Sequence, residues 1–160
     1  MKKITTLVRS ALAVAAIGAA TFVVAPAQAD TLHPTGFAQG EQTFGLSTGA
    51  SVRTGGFEGE WNGSDVVFWC IQLDQFFNFG NSYTDYVPVP EVSGTVATLL
   101  GKLFTQAFAS ALLDTDHSAA FQLAIWEIVY DPSSLNLSSG GFRVTQANGH
   151  TNTLSIAHNW

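Results

Sequence analysis

The chemistry of this sequence is centred on one cysteine and one glutamine. Cys70 is the only cysteine among the 160 residues. Gln122 lies within the most apolar helical stretch, Phe121-Gln122-Leu123-Ala124-Ile125-Trp126. A thiol that attacks the glutamine side-chain carbonyl would expel ammonia and leave a thioester, which is an acyl group activated toward nucleophiles. An internal Cys70–Gln122 thioester is therefore the central hypothesis.

Other glutamines compete for the role of acyl donor. A buried amide without partners costs about 1–3 kcal/mol, and a thioester would remove the amide donors of Gln122 together with the thiol. Gln72 shares a predicted strand face with Cys70, but side chains at that spacing project roughly 6–7 Å apart, which would strain the ring. Gln75 lies past the predicted strand end, and Gln106 is in a less apolar helix, so burial favours Gln122.

A lone cysteine also admits other interpretations in an oxidising compartment. It can be a buried inert thiol beside a satisfied core glutamine, a reactive nucleophile, or an intermolecular disulfide partner. His117 would be the base of a cysteine hydrolase, but no Cys-family signature surrounds Cys70. No cofactor or metal is expected, because the remaining histidines are scattered and no His/Cys/acid cluster has metal-ligand spacing. The histidines in question are His33, His150 and His158, and the tryptophans interpreted as core are Trp61, Trp69 and Trp126.

The strand expected to carry Cys70 follows a hairpin signal. Asn62-Gly63 between two apolar runs is typical of a two-residue β-turn. It would join a strand ending near Trp61 to one over 65–73. Apolar residues occupy both faces of the second strand, which predicts a central, covered position for it and for Cys70. Further strands are predicted near 42–46 and over 83–87, with the rest of 30–50 an irregular lead-in.

Two helices should carry Gln122 and support it. Apolar residues recur at three- and four-residue steps over 94–113. The break at 114–116 supplies an N-cap, most simply Asp116, for a second helix from His117 to about Tyr130. That helix is apolar nearly all round, which predicts burial on most sides. Asp131-Pro132 should end it, and the expected elements beyond are a loop over 133–141, a strand over 141–145, a turn at Asn148-Gly149 and a helix from residue 151.

The first 29 residues are typical of a secretory signal and are set aside from the fold. Lys2, Lys3 and Arg9 form a positive start, and Ala27-Gln28-Ala29 is an A-x-A cleavage site. The apolar run between them is shorter than the roughly 20 residues needed to cross a bilayer. Residues 1–29 are therefore interpreted as a signal peptide and 30–160 as one secreted domain. Its ending on Trp160, without a closing element, suggests a C-terminally truncated fragment of a longer protein.

The charge of the remaining chain limits its partners. Residues 30–160 hold three basic and twelve acidic residues, a formal net charge of −9 with His neutral. Nucleic acids and anionic membrane surfaces both require basic patches, so neither is expected as a partner. The hydrophobic fraction of 46% is too high for a disordered chain.

The two segments that carry the chemistry also carry a family resemblance. Trp69-Cys70-Ile71 with Gln122–Trp126 resembles the thioester domains of Gram-positive surface adhesins, which pair an aromatic-Cys-aliphatic segment with Gln-x-Ala-Ile-Trp. The run 121–131, with Gly56-Phe57-Glu58-Gly59 and 141–145, resembles still more closely the thioester-domain proteins of Gram-negative bacteria. Those proteins are exosortase substrates with a PEP-CTERM sorting tail. The resemblance covers about residues 50–147.

Two departures accompany the resemblance. The adhesins often have an acidic residue two positions after the cysteine, where this chain has Gln72, with Asp74 further on. The sorting tail is not in this sequence, so surface anchoring would belong to a full-length parent.

By this resemblance, Cys70 matches the thioester cysteine and Gln122 the acyl donor. We expect an α+β fold, an antiparallel β-sandwich or partial barrel with a two-helix insertion at 94–131. The expected function is an extracellular covalent binding or adhesion module that captures a nucleophile, typically a lysine amine, on a surface or matrix macromolecule. No catalytic turnover is implied. The alternative is a non-covalent extracellular structural or matrix protein with the same fold and no thioester, and a secreted cysteine hydrolase comes third.

Overall fold

The computed structural model describes residues 30–86 and 92–160 of the chain. They form two antiparallel sheets and three helices in a sandwich-like α+β arrangement that is not a closed barrel, which confirms the predicted fold class. The predicted signal peptide and the segment 87–91, with Pro88 and Pro90, lie outside the described residues. In chain order the elements are β1 (Asp30–Phe37), β2 (Gln42–Leu46), β3 (Ser51–Thr54), β4 (Phe57–Trp61), β5 (Ser64–Phe68), β6 (Tyr83–Tyr86), α1 (Gly94–Ala111), α2 (Thr115–Tyr130), β7 (Val144–Gln146) and α3 (Thr151–His158).

The four-stranded sheet has the order β5-β4-β1-β6. The predicted hairpin at Asn62-Gly63 is confirmed, and both residues have positive φ angles, 52° and 77°. Such angles suit the type I′ turn that joins two right-twisted strands. The prediction of an irregular lead-in is wrong for residues 30–37, because β1 is an inner strand that pairs with both β4 and β6. Its sequence lacks alternation because glycine and proline interrupt it, and its register shifts between Pro34 and Gly36.

The predicted central strand that holds Cys70 is also wrong. β5 is an edge strand of its sheet, and it ends at Phe68, the last residue paired with β4. The chain then leaves the sheet, so Cys70 lies on an irregular segment against α2. The apolar residues on both faces of the predicted strand have a different cause. Val66 and Val67 lie on the edge strand, where Val67 is 37% exposed, whereas the apolar residues after Phe68 pack against the two core clusters around α2.

The second helix is the centre of the molecule, as its all-round apolarity predicted. Every residue from Ser118 to Ile128 is buried. One core cluster lies between α2, the three-stranded sheet β3-β2-β7 and α3, and includes Phe44, Leu123 and Trp126. A second cluster lies between α1 and α2. Helix α2 therefore holds its side chains in fixed positions, which matters for Gln122.

The cap of α2 differs from the prediction. Asp114, not Asp116, is the N-cap, and its side chain accepts a hydrogen bond from the His117 backbone N–H at 2.9 Å. Asp116 instead lies in the first turn, where it accepts hydrogen bonds from Gln42, Asn152 and Thr153. The end of α2 at Asp131, the turn at Asn148-Gly149 and the last helix are confirmed.

Within the described ranges, no helix has the length and apolarity that a membrane span requires.

Candidate functional site

Segment 69–73 lies along one stripe of α2. The stripe consists of Ser118, Gln122, Trp126 and Tyr130, which are spaced by four residues and so share a helix face. The indole N–H of Trp69 donates to the Ser118 carbonyl at 3.3 Å, and the Leu73 N–H donates to the Tyr130 hydroxyl at 2.9 Å. These contacts fix the segment on both sides of Cys70.

Close packing at Gly56 holds the segment in this place. The Gly56 N–H donates to Ser118 Oγ at 2.7 Å. A Cβ atom at Gly56 would lie 2.7 Å from the Trp69 ring, closer than real Cβ contacts. Glycine at this position therefore leaves room for the Trp69 ring, whose centroid is 4.9 Å from that of Phe121.

The structure brings Gln122 and Cys70 into direct contact. Gln122 is 1% exposed. Its Oε1 accepts a hydrogen bond from the Cys70 N–H at 3.1 Å, and its Nε2 donates to the Cys70 carbonyl at 2.7 Å. One side-chain amide is thus bound to both main-chain groups of the residue that carries the thiol. The Cys70–Gln122 pair predicted from the sequence is spatially adjacent, although the two residues are 52 positions apart.

This arrangement has two chemical consequences. The Cys70 N–H polarises the amide carbonyl and is positioned to stabilise negative charge that develops on Oε1 when a nucleophile adds to the carbonyl carbon, as an oxyanion-hole donor does. A residue that bonds one partner through both N–H and C=O has the geometry of a hydrogen-bonded pair in an antiparallel ladder. Its Cβ then projects out of the plane of those bonds.

The same hydrogen bonds satisfy the amide. Both of its polar atoms have main-chain partners, so burial of Gln122 does not by itself require a covalent bond. The thiol environment is apolar: Cys70 is half-buried and packs against the core cluster around α2. Burial raises the pKa of the Cys70 thiol to about 11. The free thiol is therefore protonated at neutral pH, and an unassisted thiolate nucleophile is not available.

Cys70 lines a cleft with a volume of about 310 Å³. Strand β3 forms part of its wall, segment 72–79 forms another part, and Trp126 lies at its buried end, 4% exposed. Phe76 lies at the solvent side and is 87% exposed. Aromatic rings dominate the lining, which contains Phe37, Phe57, Phe76, Phe77, Phe79 and Trp126. Cys70 therefore lines a cleft whose wall is largely aromatic, whereas Gln122 is not among the lining residues.

The competing glutamines do not take the place of Gln122. Gln72 and Gln75 are exposed and line the cleft, but the amide that bonds to Cys70 is that of Gln122. Gln106 is exposed on α1 and lines a separate cavity. Asp74, the acidic residue nearest after the cysteine, is exposed.

His117 does not form a catalytic pair with the thiol. Its Nδ1 lies 2.8 Å from Asp114 Oδ1, and its ring is 6.1 Å from the Trp160 ring. It precedes Gln122 by five residues on α2, which places the two side chains about 140° apart around the helix. Among the described residues, no group of His, Cys, Asp or Glu could hold a metal ion.

Glu127 follows the aromatic end of the motif but faces away from Cys70. It is 4% exposed, and its Oε1 accepts a hydrogen bond from the Asn136 N–H at 2.8 Å. It lines the separate cavity between α1 and α3. Desolvation raises the pKa of this carboxyl group, so it destabilises the fold when ionised. Its direct contact is with the loop after α2, which makes it a support for that loop.

Sequence reasoning missed two residues that hold the segment, Ser118 and Tyr130, and it interpreted Trp69 as core without foreseeing its hydrogen bond to Ser118. The signal was available, because polar groups recur every fourth residue along an otherwise apolar helix. The free edge of β3 had no sequence signal, since pairing partners are a property of the sheet.

Comparison with models of known protein families, with curated proteins and with solved structures gives no match.

Proposed function

We propose that this chain is an extracellular covalent binding module in which Cys70 and Gln122 form an internal thioester that captures an amine on a partner macromolecule. The observation that carries the proposal is the contact of the Gln122 amide with both main-chain groups of Cys70. The resemblance of the segments around Cys70 and Gln122 to thioester domains of surface proteins supports it. Gln122 is suited to be the acyl donor because it is buried on α2, which holds its side chain in one position next to Cys70.

The bond-forming step is balanced within the site. Cys70 Sγ adds to the Gln122 side-chain carbonyl carbon, and the carbonyl oxygen takes the negative charge beside the Cys70 N–H. The carbon–nitrogen bond then breaks, and the nitrogen leaves as ammonia with the proton that the thiol loses. The products are one thioester and one ammonia, with no oxidant or cofactor.

Capture of the partner is a second acyl transfer, from the Cys70 sulfur to the partner amine. A partner amine attacks the thioester carbonyl, the carbon–sulfur bond breaks, and an amide forms between Gln122 and the partner while Cys70 recovers its thiol. An apolar site disfavours a thiolate, as the raised pKa of Cys70 indicates. The sulfur is therefore a poor leaving group until it receives a proton, so hydrolysis of the thioester is slow. A nucleophile that the cleft holds in place reacts in preference to water.

One observation favours a second function. The Gln122 amide is fully hydrogen-bonded to the Cys70 main chain, so the same pair can act as a purely structural link. The chain would then be a non-covalent extracellular structural or matrix protein with this fold.

Intact mass of the secreted protein separates the two functions. The wild-type chain should be lighter than its sequence mass by one ammonia and should have no alkylatable thiol after denaturation. Cys70→Ala and Gln122→Ala should each have the full sequence mass. A wild-type protein with full mass and a titratable thiol refutes the thioester.

Matched substitutions test the identity of the acyl donor. Gln72→Ala and Gln75→Ala remove the two glutamines that share the cleft with Cys70, and both variants should still lack one ammonia. Loss of the deficit in either variant would move the acyl donor away from Gln122. Methylamine should add its own mass to the wild-type protein and expose one thiol.

A further inference from the structure

The free edge of β3 borders the cleft that ends at Cys70. β3 is one of the two edge strands of the three-stranded sheet, and β2 is its only strand partner in the described part of the chain. Ser51, Val52 and Arg53 of β3 all line the cleft with Cys70. The edge is therefore next to the reactive pair and not on a remote surface.

The strand register identifies which main-chain groups face outward. The Leu46 N–H donates to the Ala50 carbonyl at 2.8 Å, and β2 pairs with β3 with Phe44 opposite Val52 and Gly45 opposite Ser51. Hydrogen-bonded and non-hydrogen-bonded pairs alternate in an antiparallel ladder. The N–H and C=O groups of Ser51 and Arg53 therefore point away from β2, toward the free edge.

The Trp126 ring forms another part of the cleft wall. Trp126 is one helical turn after Gln122 on the same face of α2, and it lines the cleft together with Cys70.

We infer that the partner's lysine is presented on an extended polypeptide segment that pairs with the free edge of β3 and directs the lysine amine into the cleft. This inference rests on the proposed thioester. Addition of a strand to a sheet edge uses main-chain hydrogen bonds for affinity and side-chain pockets for selectivity. Ser51 and Arg53 supply the main-chain groups, and the phenylalanines of the cleft pack on the alkyl chain of the lysine.

The net charge of the domain favours a basic partner, and Arg53, the one charged residue among the described residues that line the cleft, is paired with Glu41. Residues 30–160 carry a formal net charge of −9, and the only lysine among them is Lys102, which lines the separate cavity between α1 and α3. Attraction between an acidic domain and a basic segment raises the association rate. The ammonium group can also interact with the aromatic faces of the cleft before it loses its proton.

The test compares covalent capture of three amines by the full secreted chain, measured by intact mass over time. The probes are methylamine, a capped peptide with one central lysine between β-branched residues, and the same peptide with N-methylated backbone amides beside the lysine. The unmodified peptide should react at least about fivefold faster than the N-methylated one, because each lost main-chain hydrogen bond costs about 1 kcal/mol. Equal rates for the two peptides would overturn strand pairing.

Proline variants provide the protein side of the same test. Ser51→Pro removes an outward N–H of β3 without removing a bond to β2, because proline is tolerated at such edge positions. It should lower the ratio of the peptide rate to the methylamine rate by about fivefold. Asp65→Pro is the matched control: by the same alternation from the hairpin, Asp65 has its N–H outward on β5, the edge of the other sheet. It should leave the ratio unchanged.

The outcomes separate this inference from the thioester itself. If the wild-type protein has full mass and reacts with no amine, the proposed function fails. If methylamine adds but N-methylation and Ser51→Pro have no effect, the thioester stands and strand pairing is refuted. Faster capture of an amine-bearing oligosaccharide than of the peptide would also refute it, since sugars cannot pair with a strand edge.

Discussion

Replacing Cys70 and Gln122 singly and together distinguishes a covalent bond from a hydrogen-bonded contact. Both hydrogen bonds of the Gln122 amide go to the main chain of Cys70, and Cys70→Ala leaves that main chain intact. Without a bond, the free energies of unfolding lost in the single variants should therefore nearly add in the double variant. With a bond, each single variant already loses the whole cross-link.

The size of the difference follows from the chain. A cross-link between residues 52 positions apart removes the loop-closure entropy of the unfolded state, worth about 4 kcal/mol if a thioester acts like a disulfide of that loop length. Loss of the thiol's packing in Cys70→Ala should cost about 1 kcal/mol. Gln122→Met leaves the Cys70 N–H and C=O unpaired, which should cost about 2 kcal/mol. The thioester lacks the Nε2 donor that bonds the Cys70 carbonyl in Cys70→Ala, which reduces the coupling by about 1 kcal/mol. The two single losses should then exceed the double loss by about 3 kcal/mol.

Urea unfolding of the four proteins, each checked by intact mass, measures this coupling. An excess of less than about 1 kcal/mol would refute the cross-link, since residues in contact without a covalent bond already couple by about 0.5–3 kcal/mol. Wild-type protein opened with methylamine is a control without substitution. It should lose about 4 kcal/mol relative to the untreated protein, whereas methylamine should not change the stability of Cys70→Ala.

Two further predictions concern the support of the site. Gly56→Ala should lower the free energy of unfolding by about 1–3 kcal/mol. It should also reduce the fraction of protein that lacks one ammonia, because the new Cβ would displace Trp69, which precedes Cys70. The control is Gly49→Ala, which has open space around the new Cβ and a positive φ angle, so it should lower stability without changing that fraction. When the free energy of unfolding is measured in urea at a series of pH values, Asp116 and Glu127 should change it in opposite directions. Hydrogen bonds led by that from Asn152 lower the pKa of Asp116, so its stabilisation is present above the unfolded pKa and lost as pH falls. Desolvation raises the pKa of Glu127, so stability falls as the pH rises above the pKa that this carboxyl group has in the unfolded chain. Glu127→Gln should remove the fall in stability at higher pH, and Asp116→Asn should remove the fall at lower pH.

Local patterns were sufficient for most of the elements. Asn62-Gly63 predicts its hairpin because few other residue pairs adopt positive φ angles at two successive positions. The apolar residues around Gln122 predict a buried helix, because only an element covered on several sides can bury them all. Both signals depend on residues close in sequence, and both are confirmed.

The failures share a physical reason. Asp30–Phe37 has no strand alternation, yet it is an inner strand because β4 and β6 pair with it on both sides. The run through Cys70 has the alternation of a strand, yet the strand ends at Phe68, where its pairing with β4 ends. Pairing depends on neighbours distant in sequence, and no local pattern encodes it. The choice of Asp114 over Asp116 as N-cap also depends on residues distant in sequence. Gln42 of β2 and Thr153 of α3 donate hydrogen bonds to the Asp116 carboxylate.

The sequence by itself determined which two side chains were candidates for the chemistry. The single cysteine is a matter of composition, and the apolar residues around Gln122 are a local sequence pattern. The tertiary structure decided that the Gln122 amide contacts the main chain of Cys70. It also decided that Gln72 and Gln75 do not take that place, although both lie nearer to Cys70 in the chain. Packing is the reason: Trp69 on Ser118 and Leu73 on Tyr130 align the segment with α2, and only contacts between elements far apart in sequence can set that alignment.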